Sequence, residues 1–261
     1  MISSAHNPRI RQLRLLMEKS RTRRDEKLFV IEGVRELEIA IQSGYSMHSL
    51  FLCEPILQNS EKTTLFKNRA PVVEAIDPDL YRKIAYRGTT EGVLAIMHER
   101  FLQPGDLSVA SSALVIVLES VEKPGNLGAV LRTADACRAD AVMVCDPLTD
   151  LYNPNTIRAS LGCLFSVPTI TCTSAQAYQW LQDHGIRVVA ATCQAEAWYH
   201  QCDYRLPTAF AMGTEDKGLS AFWRERADQE VKIPMRGIID SLNVSVATAV
   251  LCFEAVRQRN I

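Results

Sequence analysis

Near its C-terminus the chain reads Val231-Lys232-Ile233-Pro234-Met235-Arg236-Gly237-Ile238-Ile239-Asp240-Ser241-Leu242-Asn243-Val244-Ser245-Val246-Ala247. The order of side chains predicts a short buried strand over Val231–Ile233, a loop broken by Pro and Gly, and the opening of a helix. Pro234 has no N–H to give a sheet and ends the strand. Gly237 admits a sharp bend. Ser241, Asn243 and Ser245 stand where a helix starting near Val244 must satisfy its unpaired N–H groups. A capped helix after a loop explains these polar residues one at a time. It does not explain why so many small polar groups share an irregular, mostly apolar loop. A site that grips a ligand through main-chain groups requires both.

Working outward, 261 residues suit one large or two ordinary domains, and 47% hydrophobic residues are ample for buried cores. The net charge of -1 gives no global pull toward nucleic acid or a membrane, so any such attraction is local. No apolar run approaches the ~18 residues of a membrane span, and Met1–Arg24 lacks the apolar core of a signal peptide. The eight cysteines are scattered without a C-x-x-C pair, and several lie in apolar runs such as Val142-Met143-Val144-Cys145. They read as small buried hydrophobes in a reducing cytoplasm.

The first segment is basic. Asn7-Pro8 can start a helix on which Ile10, Leu13, Leu16 and Met17 recur at helical spacing. Arg9, Arg11, Arg14, Lys19, Arg21, Arg23, Arg24 and Lys27 dominate the rest. A solvated face is one reading; on an otherwise neutral chain, a phosphate-contacting patch is the other. Strands are then predicted at 28–31, 50–52, 72–76 and 93–97, with helices between them near 61–69 and 78–86. This makes a small α/β domain over 1–102. The Gly-bearing loop Tyr86–Gly92 carries Arg87, a candidate RNA contact. Residues 103–112, with Pro104-Gly105 and a small polar run, read as a short linker.

A second domain spans 113–261. Ala113–Leu118 is a continuous apolar run of the kind buried on both faces. Further strands are expected at 141–145, 168–172, 186–192, 209–212 and 231–233, mostly separated by helices, with one predicted from about Ala129 to Cys137. Alternation of this kind gives a mostly parallel sheet with ligands outside the carboxyl ends of the strands. The loop Lys123-Pro124-Gly125-Asn126-Leu127-Gly128 matches neither G-x-G-x-x-G nor G-x-x-x-x-G-K-[ST], so the dinucleotide and P-loop readings lose their support. It leaves an amide, Asn126, at a helix mouth, with Arg132 further in. The loop Gly213–Leu219 has glycines for close backbone approach, and Glu215 there is a helix-start carboxylate or a ligand-binding group.

Asn126-x-Gly128 with Arg132 and Ala134, Gly213-x-Glu215-x-x-Gly218-Leu219, and Ile233-Pro234-Met235-x-Gly237 with Ser241-Leu242-Asn243-Val244-Ser245-x-Ala247 resemble the three motifs of the SpoU (TrmH-type) RNA ribose methyltransferases of the SPOUT class. Arg158-Ala159-Ser160-x-Gly162 resembles a family segment between the first two motifs. The first domain, through Glu32-Gly33 and Glu91-Gly92-Val93-Leu94-Ala95, resembles the RNA substrate-binding domain many of these enzymes carry, similar to a small ribosomal-protein fold. One departure is Arg138, where the family usually has Gly.

The resemblance implies a parallel α/β domain whose tail threads a deep trefoil knot, otherwise nearly absent from proteins. It implies S-adenosylmethionine held largely by backbone near Thr192, Gly213, Ile233, Met235 and Leu242, and no metal. It implies a catalytic set of Arg132, Asn126, Glu215, Ser241 and Asn243, and a homodimer whose site is completed across the interface. The last helix, apolar nearly all round, agrees with a partner covering part of it. RNA contacts are expected from Arg9, Arg11, Arg23, Arg24, Arg87 and Arg158. The extra RNA-binding domain favours structured ribosomal RNA over tRNA. Two other classes stay open: a nucleotide-dependent oxidoreductase, which would need the glycine fingerprint, and a non-catalytic RNA-binding protein on the same scaffold, which would need lost motif residues.

Overall fold

The computed structural model describes residues 1–57, 60–85, 91–214 and 216–259. In chain order the first elements are α1 (Pro8–Glu18), α2 (Ser20–Glu26), β1 (Leu28–Glu32), α3 (Val34–Gln42), β2 (Met47–Leu52), α4 (Ser60–Arg69), β3 (Val73–Ala75), α5 (Pro78–Ile84) and β4 (Val93–His98). Then come β5 (Leu114–Glu119), α6 (Pro124–Ala136), β6 (Ala141–Cys145), α7 (Pro154–Ser160), α8 (Cys163–Ser166), β7 (Thr169–Cys172) and α9 (Ser174–Asp183). The last are β8 (Arg187–Ala191), β9 (Thr208–Met212), α10 (Ala221–Arg226), β10 (Gln229–Val231) and α11 (Val244–Gln258). Packing divides the chain into two units, one of Met1–Arg100 with Asp150–Ser166 and one of Phe101–Thr149 with Val167–Ile261. The continuous second stretch expected from residue 113 onward is thus interrupted: α7 and α8 pack with the first unit.

In the first unit the strand order is β1-β4-β2-β3, with β4 antiparallel to both neighbours and β2 parallel to β3. Asn7 caps α1 by accepting from Arg9 N at 2.9 Å, and Pro8 takes the first helical position, where its missing N–H costs nothing. Ile10, Leu13 and Leu16 then lie against Leu28, Val30, Phe51 and Ile96. Side chains alternate along a strand, so Phe29 turns to the other face. There it stacks on Tyr152 with ring centroids 4.4 Å apart and meets Phe165 at 5.8 Å. Asp150–Ser166 therefore supplies the second apolar cover that explains why Leu28–Ile31 of β1 is apolar on both faces. Tyr152 fixes the segment further: its hydroxyl donates to Arg100 O at 2.5 Å and accepts from Arg100 N at 3.1 Å.

Arg23 corrects the reading of the basic segment. It is 2% exposed, with Nε donating to Asp150 Oδ2 at 2.6 Å and Nη1 to the carbonyls of Leu16 at 2.6 Å and Met17 at 3.2 Å. A guanidinium so enclosed does not meet RNA phosphate. Glu99 adjoins this cluster. Loss of water and the Asp150 charge push its carboxyl up to about 7, against the pull of Lys27 and Arg23, and its Oε2 has no hydrogen-bond partner among the described residues.

The second unit is a six-stranded parallel sheet in the order β10-β8-β9-β5-β6-β7. From β5 the chain builds outward through β6 and β7, then crosses to β8 and inserts β9 beside β5. That reversal is the position where such sheets hold ligands, at the strands' carboxyl ends. Val115, Val117, Met143, Ile170, Val188 and Trp223 fill one face of the core. Strand β10 stops at Val231, two residues short of the expected end. Lys232 instead pairs with the loop after β8: its N donates to Ala197 O at 2.9 Å and its carbonyl accepts from Tyr199 N at 2.9 Å. Pro234 therefore follows the strand without ending it. Gly237 has no left-handed φ, and a Cβ there would meet open space, so its bend needs no glycine. Among the described residues no helix is long and apolar enough to cross a membrane.

Candidate active site

Helix α6 begins at Pro124, five residues before the expected start, again with proline at the first position. Asn126 consequently sits in the first helical turn. Across the unit, Asn243 caps α11: its Oδ1 accepts from Ser245 N at 3.0 Å and from Ser245 Oγ at 2.6 Å. Its Nδ2 donates to Asn126 Oδ1 at 3.2 Å, joining residues 117 apart in sequence. The two helices stay together further along. The Cys137–Cys252 hydrogen bond draws the Cys137 thiol down and, with burial, pushes that of Cys252 up.

Beside these helix starts lies a cavity of about 320 Å³, lined by Thr192, Gly213, Ile233, Met235 and Leu242 together with Ser241. Its walls are apolar at Met212, Leu219, Val231, Val244, Ala247 and Leu251, and polar at Asp216, Lys217, Arg224, Lys232 and Asp240. Thr192 N donates to Val231 O at 3.0 Å, tying the β8 and β10 loops. Thr214 and Gly218 form an antiparallel bridge that closes a hairpin: Gly218 N donates to Thr214 O at 2.9 Å and Lys217 N to Thr214 Oγ1 at 3.1 Å. Only glycine fits at 213, because a Cβ would lie 2.1 Å from the Gly218 carbonyl carbon and 2.2 Å from Leu219 N. A second cavity of about 120 Å³, lined by Glu119, Glu122, Lys123 and Asn126, shares Met212, Gly213, Thr214, Asp216, Lys217 and Val244 with the first.

Other expected residues fall elsewhere. Arg132 is exposed on α6 and lines neither cavity. Glu215 and Arg87 lie outside the described residues. Arg9, Arg11 and Arg24 are exposed on α1 and α2; Arg9 is ion-paired with Glu74. Arg158 is exposed on α7, where its Nη2 donates to Asn155 Oδ1 at 3.1 Å, and it belongs to the first unit. Arg138 lines neither cavity and has a φ of 52° just past α6. Its N donates to Asp135 O at 3.2 Å and Ala139 N to Ala134 O at 2.8 Å, the helix-ending turn that glycine favours. Sequence reasoning missed Asp216, Lys217, Arg224 and Asp240 on the cavity wall. It also missed Glu119, whose only signal was a carboxylate closing a wholly apolar strand.

A parallel α/β unit with its larger cavity at the carboxyl ends of β8, β9 and β10, walled by the three loops that follow them, and its smaller cavity at the β5–β9 reversal defines an enzyme-like fold for a small organic ligand. Comparison with known proteins narrows this. The SpoU rRNA Methylase family model matches residues 113–253, and the MRM3-like substrate binding domain model matches residues 7–95. The 23S rRNA (guanosine-2'-O-)-methyltransferase RlmB of Bordetella pertussis is 40% identical over 66% of this chain and 73% of its own length. A crystal structure of an RNA 2'-O ribose methyltransferase is 40% identical, covers 100% of this chain and 99% of that one, and superposes with a TM-score of 0.85. The SpoU methyltransferase AviRb from Streptomyces viridochromogenes, in complex with AdoMet, is 27% identical over 97% of this chain and 98% of that one, with a TM-score of 0.90. The chain belongs to the SpoU rRNA methylase family.

Proposed function

We propose that this protein transfers a methyl group from S-adenosylmethionine to a ribose 2′-hydroxyl of structured RNA, ribosomal RNA ahead of tRNA. The observation that carries the reading is that Thr192, Gly213, Ile233, Met235 and Leu242, drawn from three loops, line one cavity. Its volume of about 320 Å³ lies in the range of small-molecule sites, about 300–1,000 Å³. The apolar part of its wall and the close backbone at Gly213 fit a ligand held largely by main-chain groups. The names of the relatives and the AdoMet held by a structural neighbour support the same conclusion.

When bound, S-adenosylmethionine supplies an electrophilic methyl group. The chain's own residues must then aim the hydroxyl, and positioning supplies on the order of 7–11 kcal/mol at best. Asn126 and Asn243, already bonded to each other, orient the ribose; Ser241 adds a hydrogen bond and Glu215 sets the geometry of its loop. Arg132 pairs with an RNA phosphate and stabilises the developing alkoxide while the hydroxyl proton passes by way of that phosphate to solvent, since a guanidinium with a pKa above about 12 keeps its charge and cannot take the proton itself. It follows Asn126 by six positions, about 120° round the helix. With the cavity facing elsewhere, Arg132 serves a site completed across a homodimer interface. Helix α11 offers a face for that partner, with Val246 48% and Phe253 47% exposed. The first unit takes the RNA, with Arg9, Arg11, Arg24 and Arg158 on phosphates, in the cytoplasm. The tail beyond Val231, bonded to the loop after β8, is the stretch that threads the trefoil knot.

The test is transfer of a tritiated methyl group to total bacterial rRNA and tRNA. Label on rRNA is expected, with Asn126→Ala losing most of it. Arg132→Ala should fall about 100-fold or more, and Arg132→Lys should retain part of the activity. Equal loss in both arginine variants contradicts charge stabilisation, and absence of label from RNA rejects the function.

A further inference from the structure

Glu119 ends β5 and is 9% exposed. Both of its carboxylate oxygens go to one residue 101 positions later. Oε2 accepts from Ser220 N at 2.7 Å and Oε1 from Ser220 Oγ at 2.6 Å. Ser220 is the N-cap residue of α10, yet its hydroxyl makes no capping bond to that helix. A serine at this position ordinarily turns its oxygen onto the helix's own N–H groups. Here it turns to Glu119.

The topology shows what this bond closes. Strands β5 and β9 are parallel neighbours, with Leu118 opposite Met212. The hairpin that leaves β9 at Gly213 therefore starts beside Glu119 and returns to it at Ser220. Between those points lie Gly213, Thr214, Asp216 and Lys217, the wall shared by the two cavities. The hairpin's own bonds fix its shape, and Glu119 fixes where its returning end stands relative to β5. Glu119 lines the smaller cavity and does not line the larger. Two hydrogen bonds from one carboxylate to one residue fix orientation as well as distance, which suits a part held in register.

We propose that Glu119 is a positioning residue that pins the returning end of the Gly213–Leu219 hairpin and so sets the shape of the methyl-donor cavity. This rests on the donor reading given under the proposed function. Glu119→Ala leaves the Ser220 N–H and hydroxyl without their acceptors and frees the hairpin. Glu119→Gln keeps both bonds, its oxygen accepting from Ser220 N–H and its amide donating to the hydroxyl.

The experiment is calorimetric binding of S-adenosylhomocysteine, the demethylated donor, to the full chain, followed by methyl-transfer kinetics. For Glu119→Ala we expect about tenfold weaker binding, a matching rise in KM for the donor and an unchanged KM for RNA. Glu119→Gln should stay within about threefold of the parent. Ser220→Ala, which removes one bond and little packing, should fall between them and serves if Glu119→Ala does not fold. A folded Glu119→Ala with parental affinity, even at a lowered Tm, marks a merely structural contact and overturns the proposal. So does a Glu119→Gln as weak as Glu119→Ala, which would make charge the cause. Parental protein that fails to bind S-adenosylhomocysteine overturns the donor reading and this proposal together, whereas parental binding with unaltered variants overturns this one alone.

Discussion

At the scale of single residues, Gly213 is where sequence and geometry agree most closely. Glycines in its loop suggest close backbone approach, and the atoms a Cβ would strike, 2.1–2.3 Å away, are all backbone of Gly218 and Leu219. Backbone cannot swing aside as a side-chain tip can. Gly213→Ala should therefore cost about 1–3 kcal/mol of stability and weaken S-adenosylhomocysteine binding about tenfold, as read by urea unfolding and calorimetry. A variant with parental affinity would remove the hairpin from the donor wall. Other residues were readable only in part. Arg138 stands out in sequence as a missing glycine, but the cause, a left-handed φ closing α6, needs the backbone. Arg23 reads in sequence as an RNA contact because its actual partner, Asp150, lies 127 residues away.

At the scale of elements, the apolar runs located nine of the ten described strands, the expected β10 met the observed one only at Val231, and boundaries drifted where the chain is held by something other than its own pattern. Helix α6 starts early because Pro124 opens it as well as any residue. Strand β10 stops early because Lys232 pairs with the β8 loop, a contact no local pattern announces. The segment Asp150–Ser166 is the largest such case. It sits between two strands of the second sheet in sequence and completes the first unit in space. Its junction is sensitive to pH through Glu99, whose carboxyl is raised from 4.5 to about 7. A raised carboxyl favours the folded state while it holds its proton, so that contribution is lost as pH climbs from about 4.5 to about 7. Glu99 is only half-buried, and solvent screening reduces the effect to about 1 kcal/mol. Between pH 5 and pH 8 the parental protein should lose this amount in urea unfolding relative to Glu99→Gln, which cannot ionise. Parallel behaviour of the two proteins would contradict the assignment.

At the scale of the whole molecule, alternating strands and helices pointed to a parallel α/β sheet, and the three Gly-bearing loops pointed to its carboxyl edge. The order of strands was beyond reach, because which neighbour a buried apolar strand chooses is not written in its own residues. The same holds for the packing of two units out of four stretches of chain. What binds these levels together is one chemical claim, that the cavity under Gly213 and Leu242 presents a methyl donor to a ribose hydroxyl. A 2′-O-methyl group blocks alkaline cleavage of the adjoining phosphodiester, so the most direct measurement is alkaline hydrolysis of ribosomal RNA labelled by the purified protein from methyl-tritiated S-adenosylmethionine. The account predicts label in alkali-stable dinucleotides. Label confined to mononucleotides, or none in the RNA, would contradict it.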